Sequence, residues 1–401
     1  MIALPVRMIS ILSSIIMPAF PLSRRLLNLV WNLNITIWRV VLLAICLLSA
    51  GPANFKAFAA EIYVKSKLPL KGSDRGAGSC QLSLSGEIVK GDAEKLAEIY
   101  RQLEPPLMEG NPYWGQGGDG FDMCLDSPGG LLSEGILIAR YLREKGISTY
   151  LPAGSECVSA CAIAFFGGSI FADIRFDIYV MNARAKLGLH APSLTLNADL
   201  TTLPVEVMRS AIDVSYKSAV ADIREISETL VAPENGKSSL SPELFIEMLS
   251  TPPDQIFWIE TVNHAGLYDI PIATQLSSLP LSQETLLRGC DNMLNWAESL
   301  SAGNYDQSSF VRTNVNISQI RDPRTRRNEE AWQFEEISSW GGGLRNSSCT
   351  FFLTKGSGQI STESLRAEVY NSRVDSSKFY ETLQPWMFLS AETKLGEISG
   401  Q

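Results

Sequence analysis

Histidine is nearly absent: the 401 residues contain only His190 and His264. Nor is there a Cys-x-x-Cys pair, so the ligand spacing of a structural zinc site is missing and neither a metal nor a cofactor is expected. Basic residues are outnumbered, 34 Lys and Arg against 43 Asp and Glu, for a net charge of −9. A nucleic-acid partner would need a basic face, and that class is excluded. No internal repeat occurs. The apolar and charged fractions, 45% and 19%, are those of an ordinary globular protein and suggest neither disorder nor a multispan membrane protein.

What is present begins with an unusual leader. Residues 1–38 are apolar but broken by Pro5, Pro18, Pro21, Arg24 and Arg25. Arg39 then precedes the apolar run Val40 to Ala50 and the small-residue site Ala57-Phe58-Ala59. A basic flank, an apolar stretch and an A-x-A site describe a secretory signal. The run is short of the ~20 residues that cross a bilayer. A cleaved signal and a retained membrane anchor both remain open for residues 1–60. Export is expected either way, to the periplasm or to the periplasmic face of the inner membrane.

Six cysteines follow the leader: Cys80, Cys124, Cys157, Cys161, Cys290 and Cys349. An even count suits an oxidising compartment. Cys290 and Cys349 are alone in the C-terminal segment and are expected to pair. The first four are read equally well as disulfides or as buried thiols. Cys157 and Cys161 lie about one helical turn apart, near enough for a bridge.

Along the chain, strand and helix alternate. Leu82, Leu84 and Ile88 alternate with polar residues, predicting a strand with one polar face. Ala93, Leu96, Ile99, Tyr100 and Leu103 recur at helical steps. Residues 105–120 read as a loop. Phe121 to Leu125 predicts a strand, Leu131 to Lys145 a helix and Ile147 to Leu151 a further strand. Cys157–Phe166, Ile174–Met181 and Ala185–His190 repeat the pattern, followed by helices over about 204–230 and within 238–254. This alternation implies a parallel sheet with crossover helices. After Ser282 the texture changes to Asn, Ser and Gly, Arg321–Arg327 forms a basic turn-like run, and Thr350–Leu353 and Trp386–Ser390 are read as strands. The expected organisation is a main α/β domain over 61–282 and a small α+β domain over 283–401.

Three segments carry chemistry. Ser127-Pro128-Gly129-Gly130 stands at a strand-to-helix turn, where glycines bare backbone N–H groups that can hold an oxyanion. The plainer reading is a helix cap formed by Ser127 with Pro128 at the first helical position. Ser159 sits amid small apolar residues at the start of a buried helix, as a nucleophile or as that helix's cap. His190 ends a strand just before Ala191-Pro192, as a general base or as a buried structural histidine. Asp254 follows Pro252-Pro253, as the carboxylate that orients the base or as a cap for the following segment.

Four of these segments, in order, resemble the proteolytic subunit of Clp proteases, a family of the Clp-protease/crotonase superfamily. Leu84-Ser85-Gly86-Glu87-Ile88 resembles its opening strand, and Asp126-Ser127-Pro128-Gly129-Gly130 its N-S-P-G-G oxyanion turn. Val158-Ser159-Ala160 falls where that family has its nucleophile, and Leu189-His190-Ala191-Pro192 resembles its I-H-Q-P. Asp254 through Ala265-Gly266-Leu267 to Asp269 is a looser fifth match. The resemblance covers roughly 80–272. It implies the repeated β-β-α spiral with parallel sheets, a Ser159–His190–Asp254 triad, and an oxyanion hole from the N–H groups of Gly129 (or Gly130) and Ala160.

The sequence departs from the pattern at Asp126, at Ala160-Cys161 and in a longer interval between His190 and Asp254. The expected activity is that of an exported serine-type peptidase acting through an acyl-enzyme on small or unfolded peptides, without a cofactor. A homo-oligomer follows from the family habit. A catalytically silent scaffold or peptide-binding protein is the alternative. A crotonase-type acyl-thioester enzyme is a weaker third reading, and a cysteine nucleophile would need a depressed thiol pKa.

Overall fold

Short apolar runs between helical stretches pair into a six-stranded sheet in the computed structural model. The structure describes residues 59–67, 70, 77–108, 120–171, 174–192, 204–232, 238–298, 313–321, 328–336, 348–354, 358–362, 365–371, 376–380 and 383–398. The leader reading falls almost wholly outside them, as do 322–327 of the basic run. Among the described residues no helix is long and apolar enough to cross a membrane.

The large sheet is built from β1 (Glu61–Val64), β2 (Leu82–Ser85), β3 (Asp122–Asp126), β4 (Ser148–Leu151), β8 (Tyr179–Asn182) and β11 (Ile272–Ala273), in that spatial order. β1 runs antiparallel to β2, and every other neighbour is parallel. Parallel neighbours need crossovers, and a helix supplies each of the first two. α1 (Asp92–Met108) joins β2 to β3, and α2 (Leu132–Lys145) joins β3 to β4. A smaller sheet follows the order β10 (Phe257–Ile259), β9 (Lys186–Leu189) and β5 (Glu156–Val158). β5 and β9 are parallel, while β9 and β10 are antiparallel. Among the described residues a single bridge, from Ser127 to Cys157, links the two sheets. The chain is thus a mixed α/β protein with parallel sheet portions.

α3 (Ala160–Phe166) is buried along its whole length, which explains its unbroken run of small and aromatic residues. It packs on α2 so closely that a Cβ at Gly135 would strike the Ala160 backbone. Between β9 and β10 come α4 (Val205–Ile226), which continues as a π-type turn over Ser227–Val231, and α5 (Pro242–Ser250). α5 is capped by the Ser241 hydroxyl, which accepts from Leu244 N–H at 3.1 Å. α6 (Val262–Leu267) follows β10.

The boundary expected near 282 falls in the two-residue link between β12 (Ser278–Pro280) and α7 (Gln283–Glu298). Beyond it lies a five-stranded antiparallel sheet, ordered β13 (Thr313–Arg321), β14 (Asn328–Glu336), β15 (Ser348–Thr354), β17 (Leu365–Asn371), β18 (Ser376–Tyr380). β12 pairs with β16 (Gln359–Ser361). One continuous apolar cluster runs from Leu82 and Leu125 through Leu286 and Met293 to Phe351 and Phe388.

Several expectations change. β2 has no solvated face: Ser83 and Gln81 are buried, because the sheet's second side carries a small cluster of Cys80, Cys124 and Tyr150. Its polar groups are satisfied internally, Gln81 Oε1 accepting from Asp122 N–H at 3.0 Å. The loop read from 105 starts later, since α1 continues to Met108; residues 109–119 lie outside the described set. Ile174–Met181 is two strands: β7 (Arg175–Asp177), which hairpins with β6 (Ser169–Phe171), and β8. Trp386–Ser390 is no strand. Pro385 opens a 3₁₀ turn over Pro385–Phe388 that seats Phe388 against Phe351, ring centroids 5.7 Å apart.

Candidate active site

Ser159 occupies the junction of β5 and α3 with φ 57° and ψ −120°. Only Ser159 and Asp269 combine a side chain with positive φ among the described residues. Such a backbone costs about 1–3 kcal/mol and persists only where its surroundings impose it. Here they do. Ser159 N–H donates to Gly188 O at 3.0 Å, and a disulfide joins Cys157 to Cys161 across the serine. Both sulfurs are fully buried. The hydroxyl makes no capping bond to α3, so the plainer role foreseen for Ser159 is unfilled. A sharp strand-to-helix turn that lifts a half-buried serine out of a buried segment is the geometry of an exposed nucleophile.

The turn at Ser127–Gly130 is pressed against this elbow. Gly129 has φ 96°, and a Cβ there would lie 2.9 Å from Ser159 Cβ and 2.5 Å from Val158 O. Gly130 has φ 140°, and its Cβ would collide with Ile88 O. Glycine is therefore required at both positions by conformation and by space. Ser127 is not a helix cap, because α2 begins only after Leu131. Its hydroxyl instead accepts from Gly129 N–H at 3.1 Å. Of the three proposed oxyanion donors, Gly129 thus has an acceptor already. The N–H groups of Gly130 and Ala160 have none among the described residues. Asp126, where the resembled pattern has asparagine, accepts from Glu156 N–H at 3.0 Å and fixes the start of β5.

His190 follows β9 and lines the same cavity as Ser159 and Gly130, a space of about 300 Å³. Its Nδ1 lies 2.8 Å from Ala191 O. A carbonyl only accepts, so this contact places the proton on Nδ1 and leaves Nε2 as the basic nitrogen. Among the described residues no hydrogen bond joins Nε2 to Ser159 Oγ. His264 is spoken for elsewhere: its Nδ1 accepts from Glu260 N–H at 3.4 Å, and its ring packs 5.2 Å from Phe257. Burial pushes its pKa down, which keeps it neutral.

Asp254 is exposed on the turn between α5 and β10, and it is not among the residues that line the cavity. Neither an ion pair nor a hydrogen bond engages it among the described residues. It does not cap the next helix, since Thr261 does so by accepting from His264 N–H at 3.1 Å. Its turn is nonetheless tied to the histidine's: Ala191 N–H donates to Thr251 O at 2.9 Å, and Phe257 stands opposite Leu189 in the β9–β10 ladder.

Asp222 is the carboxylate that sequence reasoning missed, since it lines the cavity with Ser159 and His190. Removal from water raises its carboxyl pKa. The signal was present in the spacing of α4, where Ser215, Ala219 and Asp222 fall on one helical face.

No protein-family model matches this chain, and no curated protein does. Among solved structures it is similar to a single-residue mutant of ClpP1 from Listeria monocytogenes. Identity is 17%, with 47% of this chain and 86% of that chain covered, at a TM-score of 0.31. So slight an overlap carries no functional conclusion. The geometry of the elbow stands by itself.

Proposed function

We propose that the protein is a serine hydrolase, a peptidase by preference, with Ser159 as nucleophile and His190 as general base. One observation carries this reading: an uncapped serine in a forced backbone shares a cavity with a histidine whose free nitrogen is basic, beside two unengaged N–H groups. Ser159 Oγ attacks the substrate carbonyl while His190 Nε2 takes its proton. Gly130 and Ala160 N–H receive the oxyanion. The imidazolium then protonates the leaving amine, and water releases the acyl group by the same route. Nothing in this sequence of steps calls for a cofactor.

The resemblance implies Asp254 for the third position, which would require it to take over the Nδ1 bond now made to Ala191 O. The Nδ1 bond to Ala191 O supports a site in which the tautomer is already set without it.

A fluorophosphonate probe should label the wild-type protein at one site, and Ser159→Ala should abolish the labelling while thermal melting is unchanged. Full labelling of the variant would remove Ser159 from the chemistry. A silent peptide-binding protein is the second reading, favoured by the missing Ser159–His190 bond and the exposed Asp254; it predicts no labelling of either protein. Export is supported by three disulfides, which belong to an oxidising compartment. Self-association has a candidate surface in α4, where Val205, Val214 and Tyr216 are each more than 60% exposed.

A further inference from the structure

α4 turns one stripe toward the body of the protein: Met208, Ala211, Ser215, Ala219 and Asp222, all half-buried, and the buried Ile226 recur at three- and four-residue steps. Five of these are small or apolar. Asp222 is neither. It forms part of the cavity wall together with Ser215, Ser218 and Ala219, and among the described residues His190 is the one other titratable group lining that space.

Neighbouring acids are matched by cations of the chain. Asp213 pairs with Lys217 at 2.7 Å, Glu228 with Arg224 at 2.7 Å and Glu225 with Arg140, while Asp177 holds Arg143 at 2.7 Å. Asp222 has no ion pair or hydrogen bond among the described residues. A carboxylate drawn partly out of water without a counter-charge is costly, and its raised pKa reflects that cost. An incoming cation would relieve it. The rest of the lining suits such a guest: Leu132, Ile163 and Met248 can cover a methylene stem, and the serine hydroxyls can accept from its charged end.

We propose that Asp222 determines specificity, pairing with the ammonium or guanidinium of a lysine- or arginine-type side chain while the carbonyl to be cleaved lies at Ser159. This rests on the hydrolase reading and adds the substrate class to it.

Two fluorogenic peptides that differ only in lysine against norleucine test it. Wild-type kcat/KM should favour lysine by at least about tenfold, the scale of one desolvated charge contact. Asp222→Asn should bring the ratio close to one through a larger loss on the lysine peptide than on the norleucine peptide, and Asp222→Glu should restore much of the preference. Equal wild-type rates, or an equal loss on both peptides in Asp222→Asn, would overturn the assignment; the second outcome would make Asp222 a partner of His190 instead.

Calorimetry with benzamidine needs no turnover. Ser159→Ala should bind it, and the Ser159→Ala, Asp222→Asn double variant should not. No binding by the single variant, or equal binding by both, counts against the inference. Fluorophosphonate labelling reads the hydrolase assignment separately, so labelling without cation preference removes this inference alone.

Discussion

The segment around Ser159 and the C-terminal sheet each carry a buried disulfide, and the two bonds close loops of very different length. Cys157–Cys161 spans four residues of sequence, Cys290–Cys349 spans 59. In the chain-entropy treatment the short loop stabilises by about 2 kcal/mol and the long one by about 4 kcal/mol. The short bond therefore adds less to global stability while flanking a serine held at positive φ. The long bond fastens α7 to β15, and neither cysteine is among the residues that line the cavity. One shapes a turn, and the other holds the fold.

That contrast can be broken experimentally. The largest effect expected is from Ser159→Ala, which should lower turnover by at least about 10³-fold, the scale for losing a nucleophile whose partners remain. Next comes Gly130→Ala: its Cβ has no room beside Ile88 O, and positive φ alone costs about 1–3 kcal/mol. Chemical denaturation should show that loss, and an unaltered midpoint would mean the turn relaxes freely. The paired cysteine variants then separate the two regions. Cys290→Ala with Cys349→Ala should lower the melting temperature clearly and leave fluorophosphonate labelling of intact protein near wild type. Cys157→Ala with Cys161→Ala should do the reverse, slowing labelling about tenfold or more as the serine drifts from its donors, with a smaller melting change. Matching profiles for the two pairs would erase the distinction.

The smallest effect is electrostatic. The folded-state pKa of Asp222 is raised above its ordinary value of 3.8. Its contribution to stability is thus full below that value and is lost as pH rises through the folded pKa. Asp222→Asn should melt slightly higher than wild type near pH 7 and lose that advantage below about pH 3.8. An equal gain at both pH values would point to packing instead of charge.

Much of this arrangement was legible in the sequence for local reasons. The glycines after Pro128 and the serine between two cysteines are signals contained in a few adjacent residues, and the structure brings them into contact. The pairing of Cys290 with Cys349 followed from the shortage of other partners. What escaped were the features set by distant packing. β13, β14, β17 and β18 have mixed polar patterns that only a neighbouring strand converts into structure. Trp386–Ser390 had strand-like composition, but a proline at its start and an aromatic pocket decided otherwise. Asp222 escaped because a lone acid on an amphipathic helix gains meaning only once the helix's orientation is known.

The turn from Ser127 to Gly130 is laced on both flanks. Ser127 exchanges backbone bonds with Glu156 O at 2.7 Å and Val158 N–H at 3.1 Å, while Gly129 and Leu131 grip Ile88 at 2.7 and 2.8 Å. Donors and hydroxyl therefore form an anvil that cannot slide when a substrate arrives. Bringing the Ser159 hydroxyl and His190 Nε2 together therefore falls to rotation of those two side chains, because the turn itself is held.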